Sequence, residues 1–132
     1  MKKLIFILCI LCSNLAFSQL NIDYYMRVGE TRIQIGNYVG AIENFNIVIR
    51  FKPHLPEPYY FRGLAKHQLE DFRGAINDYN KAIEIKPFYP EAYMYRGLAY
   101  LQINDFNKSI VDYNRAVELN PRDANLFNNR GI

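Results

Sequence analysis

Hydrophobic side chains recur along most of this chain at steps of three and four residues, the spacing of one face of an α-helix. In the segment that begins at Phe72, the apolar positions on one such face are Phe72, Ala75, Ile76, Tyr79, Ala82 and Ile83. A similar face precedes it, with Tyr59, Gly63 and the pair Leu64 and Ala65. This part of the chain is therefore predicted to form two amphipathic helices that pack against each other, with Gly63 and Ala82 allowing a close approach of the two backbones.

Polar residues and prolines mark where these helices begin and end. Pro56 suits a first helical turn, because its missing N–H would have no partner there. Asp71 stands where the second helix needs an N-cap acceptor for its free backbone donors. The same punctuation recurs, with caps expected at Asn37, Asp71 and Asp105 and helix-ending prolines at Pro53, Pro87 and Pro121.

The whole pattern returns after 34 residues. Residues 55–88, laid on residues 89–122 without a gap, agree at 17 of 34 positions, whereas composition alone would give about two matches. An earlier copy covers residues 22–55, and a fourth begins at Phe127. Because one helix pair cannot bury its apolar face alone, such units are expected to stack into a continuous core.

Both period and pattern resemble the tetratricopeptide repeat, whose signature is W-x2-L-G-x2-Y, then A-x3-F, then P. The matching positions are Tyr25, Tyr59 and Tyr93; Gly29, Gly63 and Gly97; and Ala41 with Phe45, Ala75 with Tyr79, Ser109 with Tyr113. The resemblance covers residues 22 to 132. It implies an all-α, right-handed superhelical solenoid of antiparallel helix pairs, with repeats at 22–55, 56–89 and 90–123 and a partial repeat at 124–132.

Charged residues depart from the family pattern. Where the family has leucine before the glycine, this chain has Val28, Arg62, Arg96 and Arg130. Asp78 and Asp112 lie sixteen residues after Arg62 and Arg96, while the first repeat has Asn44 in that place. Because acid and base appear and vanish together, an ion pair is predicted between the two helices of one repeat. A bond from Asp78 to Arg96 of the next repeat is the alternative, and anion binding by the arginines is less favoured, since buried paired charges are usually architectural.

The resemblance also implies that the first helices of successive repeats line a concave groove. We call the side chains expected there the first-helix strip: Met26, Arg27, Glu30, Gln34, Tyr60, Phe61, Leu64, Gln68, Met94, Tyr95, Leu98 and Gln102. A protein or peptide partner is expected to bury apolar side chains against Tyr60, Phe61 and Tyr95 while its backbone bonds to the recurring glutamines. Alternatively, these rings only cover the shoulders of neighbouring repeats.

The residues of this chain can be compared with those of one subtype of the family. Chaperone-binding members hold a terminal carboxylate with a clamp of lysines and asparagines. The corresponding positions here carry Met26, Tyr60 and Met94, with Glu30, Leu64 and Leu98 one turn later. The clamp is missing, so a chaperone tail is not the expected partner.

The start of the chain is typical of a secretory signal peptide. Lys2 and Lys3 precede an apolar run over residues 4–11, and Ala16-Phe17-Ser18 stands just before Gln19. Residues 1–18 are therefore interpreted as a cleaved signal, with the mature protein periplasmic or secreted. Lipid anchoring at Cys12 is disfavoured because Leu11 precedes it, and a retained anchor would need a run of about 20 apolar residues.

Composition and net charge exclude several classes of protein and of site. The 132 residues are 50% hydrophobic and 22% charged, which excludes a disordered tail. Loss of Lys2 and Lys3 leaves 14 basic against 13 acidic residues, 14 − 13 = +1, so no nucleic acid partner is indicated. Cleavage also removes Cys9 and Cys12, the only cysteines, and with them any disulfide, thiolate metal site or cysteine nucleophile.

Catalytic groups are scarce in the rest of the chain. His54 and His67 have no repeat counterparts and are interpreted as surface residues, and no glycine-rich phosphate loop occurs. The sequence thus predicts an exported, non-catalytic protein-binding scaffold with no cofactor, no metal and no membrane span in the mature chain. Because the last repeat is unfinished at Ile132, two alternatives stay open: an N-terminal scaffold part of a longer protein with an enzymatic, sensor or membrane function, and self-association through the uncapped last repeat.

Overall fold

The structure, a computed structural model, describes residues 1–122, with only the backbone described for residues 15–20. It consists of six α-helices: α1 (Lys2–Gln34), α2 (Tyr38–Phe51), α3 (Pro56–Gln68), α4 (Phe72–Ile85), α5 (Pro90–Gln102) and α6 (Phe106–Leu119). No strand occurs in this part of the chain, so the all-α prediction is confirmed. The predicted partial repeat at 124–132, with Arg130, lies outside the described residues.

Packing follows the order of the chain. Each helix contacts the next one, and the first helices of adjacent repeats, α1 with α3 and α3 with α5, also contact each other. The buried residues form two clusters, one around Phe45 with Ala41 and Ala65, and one that includes Tyr79 and Ala82 of α4. The helices are therefore laid in series rather than bundled around one centre, as expected for stacked repeats.

Local chemistry fixes where the second helix of each repeat begins. The side chains of Asn37 and Asp71 accept hydrogen bonds from the backbone N–H of Gly40 (3.0 Å) and Gly74 (2.9 Å), and Asp105 accepts from Lys108 N at 3.3 Å. These three N-caps confirm the prediction from sequence. Each of these helices ends two residues before a proline, at Phe51, Ile85 and Leu119.

A tight turn of the same form joins the two helices of each repeat. It places Gly36, Glu70 and Asn104 in the left-handed region, with φ of 79°, 62° and 63°. The backbone N–H of the following residue then closes the turn, as when Asp71 N donates to Lys66 O at 2.9 Å. Glycine and asparagine tolerate this conformation, whereas Glu70 is strained in it.

Glycine brings the two helices of a repeat close together. A Cβ added to Gly63 would lie 2.6 Å from Cε1 of Tyr79, and one added to Gly29 would lie 2.7 Å from Cε1 of Phe45. Both rings are fully buried. The predicted close approach at Gly63 is thus confirmed, because the aromatic ring occupies the space that a larger residue would need.

Helix α1 is much longer than the others. Its N-terminal part is exposed, and its C-terminal part is the first helix of the first repeat. Its N-terminal apolar residues, such as Leu4, Ile5 and Phe6, are 60–68% exposed, and Ile22 is the first buried residue among those whose side chains are described. The predicted cleavage point between Ser18 and Gln19 lies inside this helix. None of the described helices combines the length and the apolar character that a bilayer crossing requires.

We predict that Glu70→Gly stabilises the protein. The substitution removes the strain of a left-handed glutamate, and glycine's greater freedom in the unfolded chain offsets part of that gain, which leaves about 0.5–1 kcal/mol. Urea unfolding followed by circular dichroism measures the change.

The matched control is Asn104→Gly at the equivalent turn. Asparagine already tolerates this conformation, so the gain there is smaller. A loss of stability in Glu70→Gly, or an equal gain in both variants, contradicts the strain argument.

Candidate functional site

The first-helix strip lies on three helices that neighbour one another. It belongs to α1, α3 and α5, whose direct contacts place the three rows of side chains side by side. Among its members, Arg27 and the three glutamines are exposed, and Phe61, Leu64, Met94, Tyr95, Leu98, Met26 and Glu30 are half-buried. Half-buried apolar side chains flanked by exposed amides form a surface that a partner segment can cover.

Tyr60 is an exception within the strip. Its side chain is only 9% exposed, and its ring packs against Phe61 (5.2 Å between centroids), Tyr89 (5.0 Å) and Tyr95 (6.1 Å). The prediction of Tyr60 as an open anchor is therefore wrong, because rings from its own helix, the α4–α5 connection and α5 cover it. At this position the alternative holds, namely that the ring covers the neighbouring repeat.

The tyrosine cluster continues beneath the strip to Tyr79. This ring lies 6.2 Å from Tyr60 and 6.5 Å from Tyr95, and it is fully buried. Its hydroxyl has no hydrogen-bond partner among the described residues. Burial raises the pKa of Tyr79 above its ordinary value, as do the neighbouring Tyr60 and Tyr95 hydroxyls, so the phenol stays protonated and available as a donor.

Three carboxylates act electrostatically on Tyr89, at the edge of the cluster. Burial raises the pKa of the Tyr89 hydroxyl, and the negative charges of Glu57, Glu91 and Glu30 raise it further. These three carboxylates come from three different helices, α3, α5 and α1. Their charges therefore act together on Tyr89, which packs against the strip residue Tyr60. Sequence reasoning named only Glu30 of these three.

The recurring glutamines occupy equivalent places in the structure. Gln34, Gln68 and Gln102 are each the last residue of the first helix of a repeat, and all three are exposed. Their amides are thus accessible at one end of the strip, where each offers two donors and one acceptor oxygen.

Arginine side chains connect three helices on another face. Arg62 donates from Nε to Asp78 Oδ2 (2.9 Å) and from Nη2 to Asp78 Oδ1 (2.6 Å), both groups belonging to one repeat. Its remaining Nη1 donates to Asn46 Oδ1 of the preceding repeat at 2.8 Å. The guanidinium thereby joins α2, α3 and α4.

The third repeat reproduces this arrangement. Arg96 forms the same bidentate pair with Asp112, both bonds being 2.7 Å, and donates to Asn80 Oδ1 at 2.8 Å. Burial opposes the charge, but hydrogen bonding to Asp112 keeps the pKa of Arg96 above its ordinary value. The asparagine links were not predicted, although the 34-residue spacing of Asn46 and Asn80 was a usable signal.

The first repeat replaces the ion pair with neutral acceptors. Arg32 donates to Asn44 Oδ1 at 2.7 Å and to the Gly40 carbonyl at 3.0 Å. In the second repeat the equivalent cation is Lys66, whose Nζ lies 2.9 Å from Asp78 Oδ2. Asp78 therefore balances two cations, whereas Arg32 has no carboxylate partner among the described residues.

His67 is less exposed than the sequence suggested. Its ring meets Phe72 edge to face at 5.1 Å between centroids, and burial lowers its pKa. Its Nδ1 is buried without a hydrogen-bond partner in the described part of the chain. His54 is exposed, as expected for a surface residue. Residues 1–122 contain no group of three or more His, Cys, Asp or Glu side chains placed to hold a metal.

Clefts also occur away from the strip. One of about 480 Å³ lies between α4, α5 and α6 and is lined by Arg73, Ile76, Asn77, Tyr100, Ile103, Asn104, Asp105 and Lys108. Two others, of about 330 and 390 Å³, lie along α5 and α6. None of the three is lined by a strip residue. In the largest of them, Lys108 lies 3.4 Å from Asp105 and balances it, which leaves Arg73 as the remaining charge of the lining.

The sequence matches known repeat families in its second half. The family described as TPR repeat matches residues 63–104, and the one described as Tetratricopeptide repeat matches residues 90–123. No curated protein matches the chain.

Similar solved structures have the same fold. One is the first TPR of Spaghetti (RPAP3) bound to the HSP90 peptide SRMEEVD, with 26% identity, a TM-score of 0.79, and coverage of 82% of this chain and 86% of that one. MamA is 24% identical with a TM-score of 0.78, and the match covers 87% of this chain and 67% of MamA. The TPR2B domain of yeast Sti1, in a complex with pHsp70, has 22% identity and a TM-score of 0.75, covering 80% and 85%.

We predict that Asp78→Asn destabilises the protein by about 2–3 kcal/mol, because it leaves the partly buried Arg62 and Lys66 without their shared carboxylate. Urea unfolding measures the loss. Asp112→Asn, which deprives only Arg96 of its partner, is expected to cost less.

Asn44→Asp provides the reverse control. A carboxylate at this position gives Arg32 a charged partner, and the protein is expected to gain about 1 kcal/mol. Unchanged stability in Asp78→Asn, or a loss of stability in Asn44→Asp, contradicts the view that Asp78 neutralises two cations while Arg32 lacks a carboxylate.

Proposed function

We propose, on the premise that the chain is a tetratricopeptide-repeat protein, that it acts as a non-catalytic scaffold which binds a peptide segment of a partner along the first-helix strip. The observation that carries the proposal is the strip itself, where apolar side chains remain partly open on three adjacent helices. Folding of the repeats orders this surface in advance, which lowers the entropy cost of capturing an extended or helical segment.

The comparison with RPAP3 supports this proposal. That domain, 26% identical to this chain, was solved with a seven-residue peptide bound. A chain with the same fold presents the same type of surface. Its side chains differ from a carboxylate clamp, with Met26, Tyr60 and Met94 in the corresponding places, so the fold is shared and the bound sequence is expected to differ.

The buried position of Tyr60 changes which residues carry the contact. Its truncation would open a cavity in the core, so it cannot report on binding alone. Leu64 and Leu98, at equivalent places on α3 and α5, are half-buried and lie on the strip. They are the better anchors to test.

Peptides selected from a random displayed library on this protein are expected to bind saturably in isothermal calorimetry. The double variant Leu64→Asn/Leu98→Asn should lower the affinity for these peptides roughly tenfold or more, since apolar contact area is lost at the centre of the surface.

The matched control is Ile110→Asn/Val111→Asn, which changes two exposed apolar residues of α6. It should bind as the unchanged protein does. Equal loss in both variants, or no selectable peptide at all, rejects the strip as the binding surface.

We also propose that residues 1–18 direct export. Lys2 and Lys3 precede an apolar segment whose Leu4, Ile5 and Phe6 are exposed and contribute nothing to the repeat core. Removal of this segment is therefore compatible with an intact stack, and an exported chain would act outside the cytoplasm.

N-terminal sequencing of the protein secreted by a bacterial host tests this. The expected first residue is Gln19, and Leu8→Arg, which interrupts the apolar run, is expected to keep the protein in the cell. Recovery of a chain that still begins at Met1 outside the cell, or no export of the unchanged chain, contradicts the proposal.

A further inference from the structure

Acidic residues recur at one place in the first helices. Asp23, Glu57 and Glu91 are spaced by 34 residues, and Glu57 and Glu91 lie in the first turns of α3 and α5. Glu57 and Glu91 are each one helical turn before a strip aromatic, Phe61 or Tyr95, and Asp23 is one turn before Arg27. They therefore lie on the same helical side as the strip. Acidic residues thus accompany the strip along its length.

Three glutamate carboxylates beside the strip are not neutralised by close charged partners. Among the described residues, Glu30, Glu57 and Glu91 take part in no ion pair. The charge of Glu57 and Glu91 also suits a helix N-terminus, but Glu30 stands near the C-terminal end of α1, where the helix dipole does not favour it. Helix stability therefore does not explain the whole set.

Two cations lie in the same region without balancing it. Arg27 is an exposed strip residue. Lys86 places its Nζ 4.5 Å from the centre of the Tyr89 ring, a cation–π contact at the edge of the aromatic cluster. Three glutamates against these two cations, 3 − 2 = 1, still leave the strip with one excess negative charge.

An independent observation comes from beneath the strip. The Tyr79 ring lies against Gly63, and its centroid is 6.2 Å from that of Tyr60 and 6.5 Å from that of Tyr95, both strip residues. Its hydroxyl is buried and has no partner among the described residues. Such a group costs about 1–3 kcal/mol unless an acceptor reaches it, and an acceptor between Tyr60 and Tyr95 would have to come from the strip side.

We propose that the occupant of the strip is a basic peptide segment, with Lys or Arg side chains beside Glu30, Glu57 and Glu91, apolar side chains on Leu64 and Leu98, and a backbone carbonyl accepting from Tyr79. This inference rests on the proposed function and gives the chemistry of its partner. Charge complementarity carries it: a cation gains both carboxylates and aromatic faces here. The acidic peptide SRMEEVD of the RPAP3 complex would meet like charge.

Fluorescence anisotropy on the full chain tests the proposal with three labelled probes. They are a ten-residue peptide of alternating Lys and Leu, the same peptide with Glu for Lys, and SRMEEVD. The Lys peptide is expected to bind saturably and to weaken with added salt, at least tenfold more tightly than either acidic peptide, or roughly 1.4 kcal/mol.

Two triple variants that each remove three negative charges distinguish an effect of the carboxylates at the strip from an effect of the overall net charge on peptide binding. Glu30→Gln/Glu57→Gln/Glu91→Gln should weaken the Lys peptide roughly tenfold, while Glu43→Gln/Glu84→Gln/Glu118→Gln, on the exposed sides of the second helices, should change it by less than about twofold. Tyr79→Phe should weaken it about threefold and at the same time stabilise the fold, because the unpartnered hydroxyl is gone.

Four outcomes overturn the proposal: equal weakening by both triple variants, tighter binding of an acidic peptide, no saturable binding of the Lys peptide, or unchanged affinity in Tyr79→Phe, which removes the carbonyl contact. If an acidic peptide binds and Leu64→Asn/Leu98→Asn abolishes that binding, the strip remains a binding surface and only its charge preference is wrong. The two failures are thereby distinguishable.

Discussion

A buried aromatic ring pressed against a glycine is the contact on which the packing of the repeats depends. Tyr79 fills the space over Gly63, and Phe45 does the same over Gly29. In these two repeats the rings set the distance between the two helices, because neither a Cβ nor a smaller ring would preserve the close packing. In the third repeat, a Cβ on Gly97 would instead come closest to Asp112 Cβ and the Ser109 carbonyl, each at 3.2 Å. Tyr79 then continues to Tyr60 and Tyr95, so the residue that closes one repeat also supports the surface shared with the next.

Arginine supplies the polar counterpart of this contact. Arg62 satisfies Asp78 within its repeat and Asn46 in the preceding one. A planar guanidinium with five donors suits this three-helix junction, whereas lysine would reach one carboxylate only as a point charge. Because Arg96 repeats the arrangement, adjacent repeats are held in the same relation, and their first helices are kept side by side.

The sequence predicted the features that depend on local chemistry or on the 34-residue period. Helix caps such as Asp71 and the close approach at Gly63 belong to this group, since each follows from one residue and its neighbours along the chain. The burial of Tyr60 was not predictable in this way, because rings from α4–α5 and α5 decide it. The left-handed Glu70 was also missed, as nothing in its side chain marks that turn. The charge on the strip was predictable only in part. The acidic positions recur in the sequence, but their joint effect on Tyr89 depends on how three helices are arranged in the folded chain.

Binding on the first-helix strip, rather than in the cleft between α4, α5 and α6, is the central claim. Backbone amide chemical shifts of the isotope-labelled chain, followed while the Lys and Leu peptide is added, test it most directly. The largest shifts are expected at residues of α1, α3 and α5 such as Glu30, Leu64 and Leu98. Shifts concentrated instead around Arg73, Asn104 and Lys108 would place the bound peptide in the cleft and contradict the account.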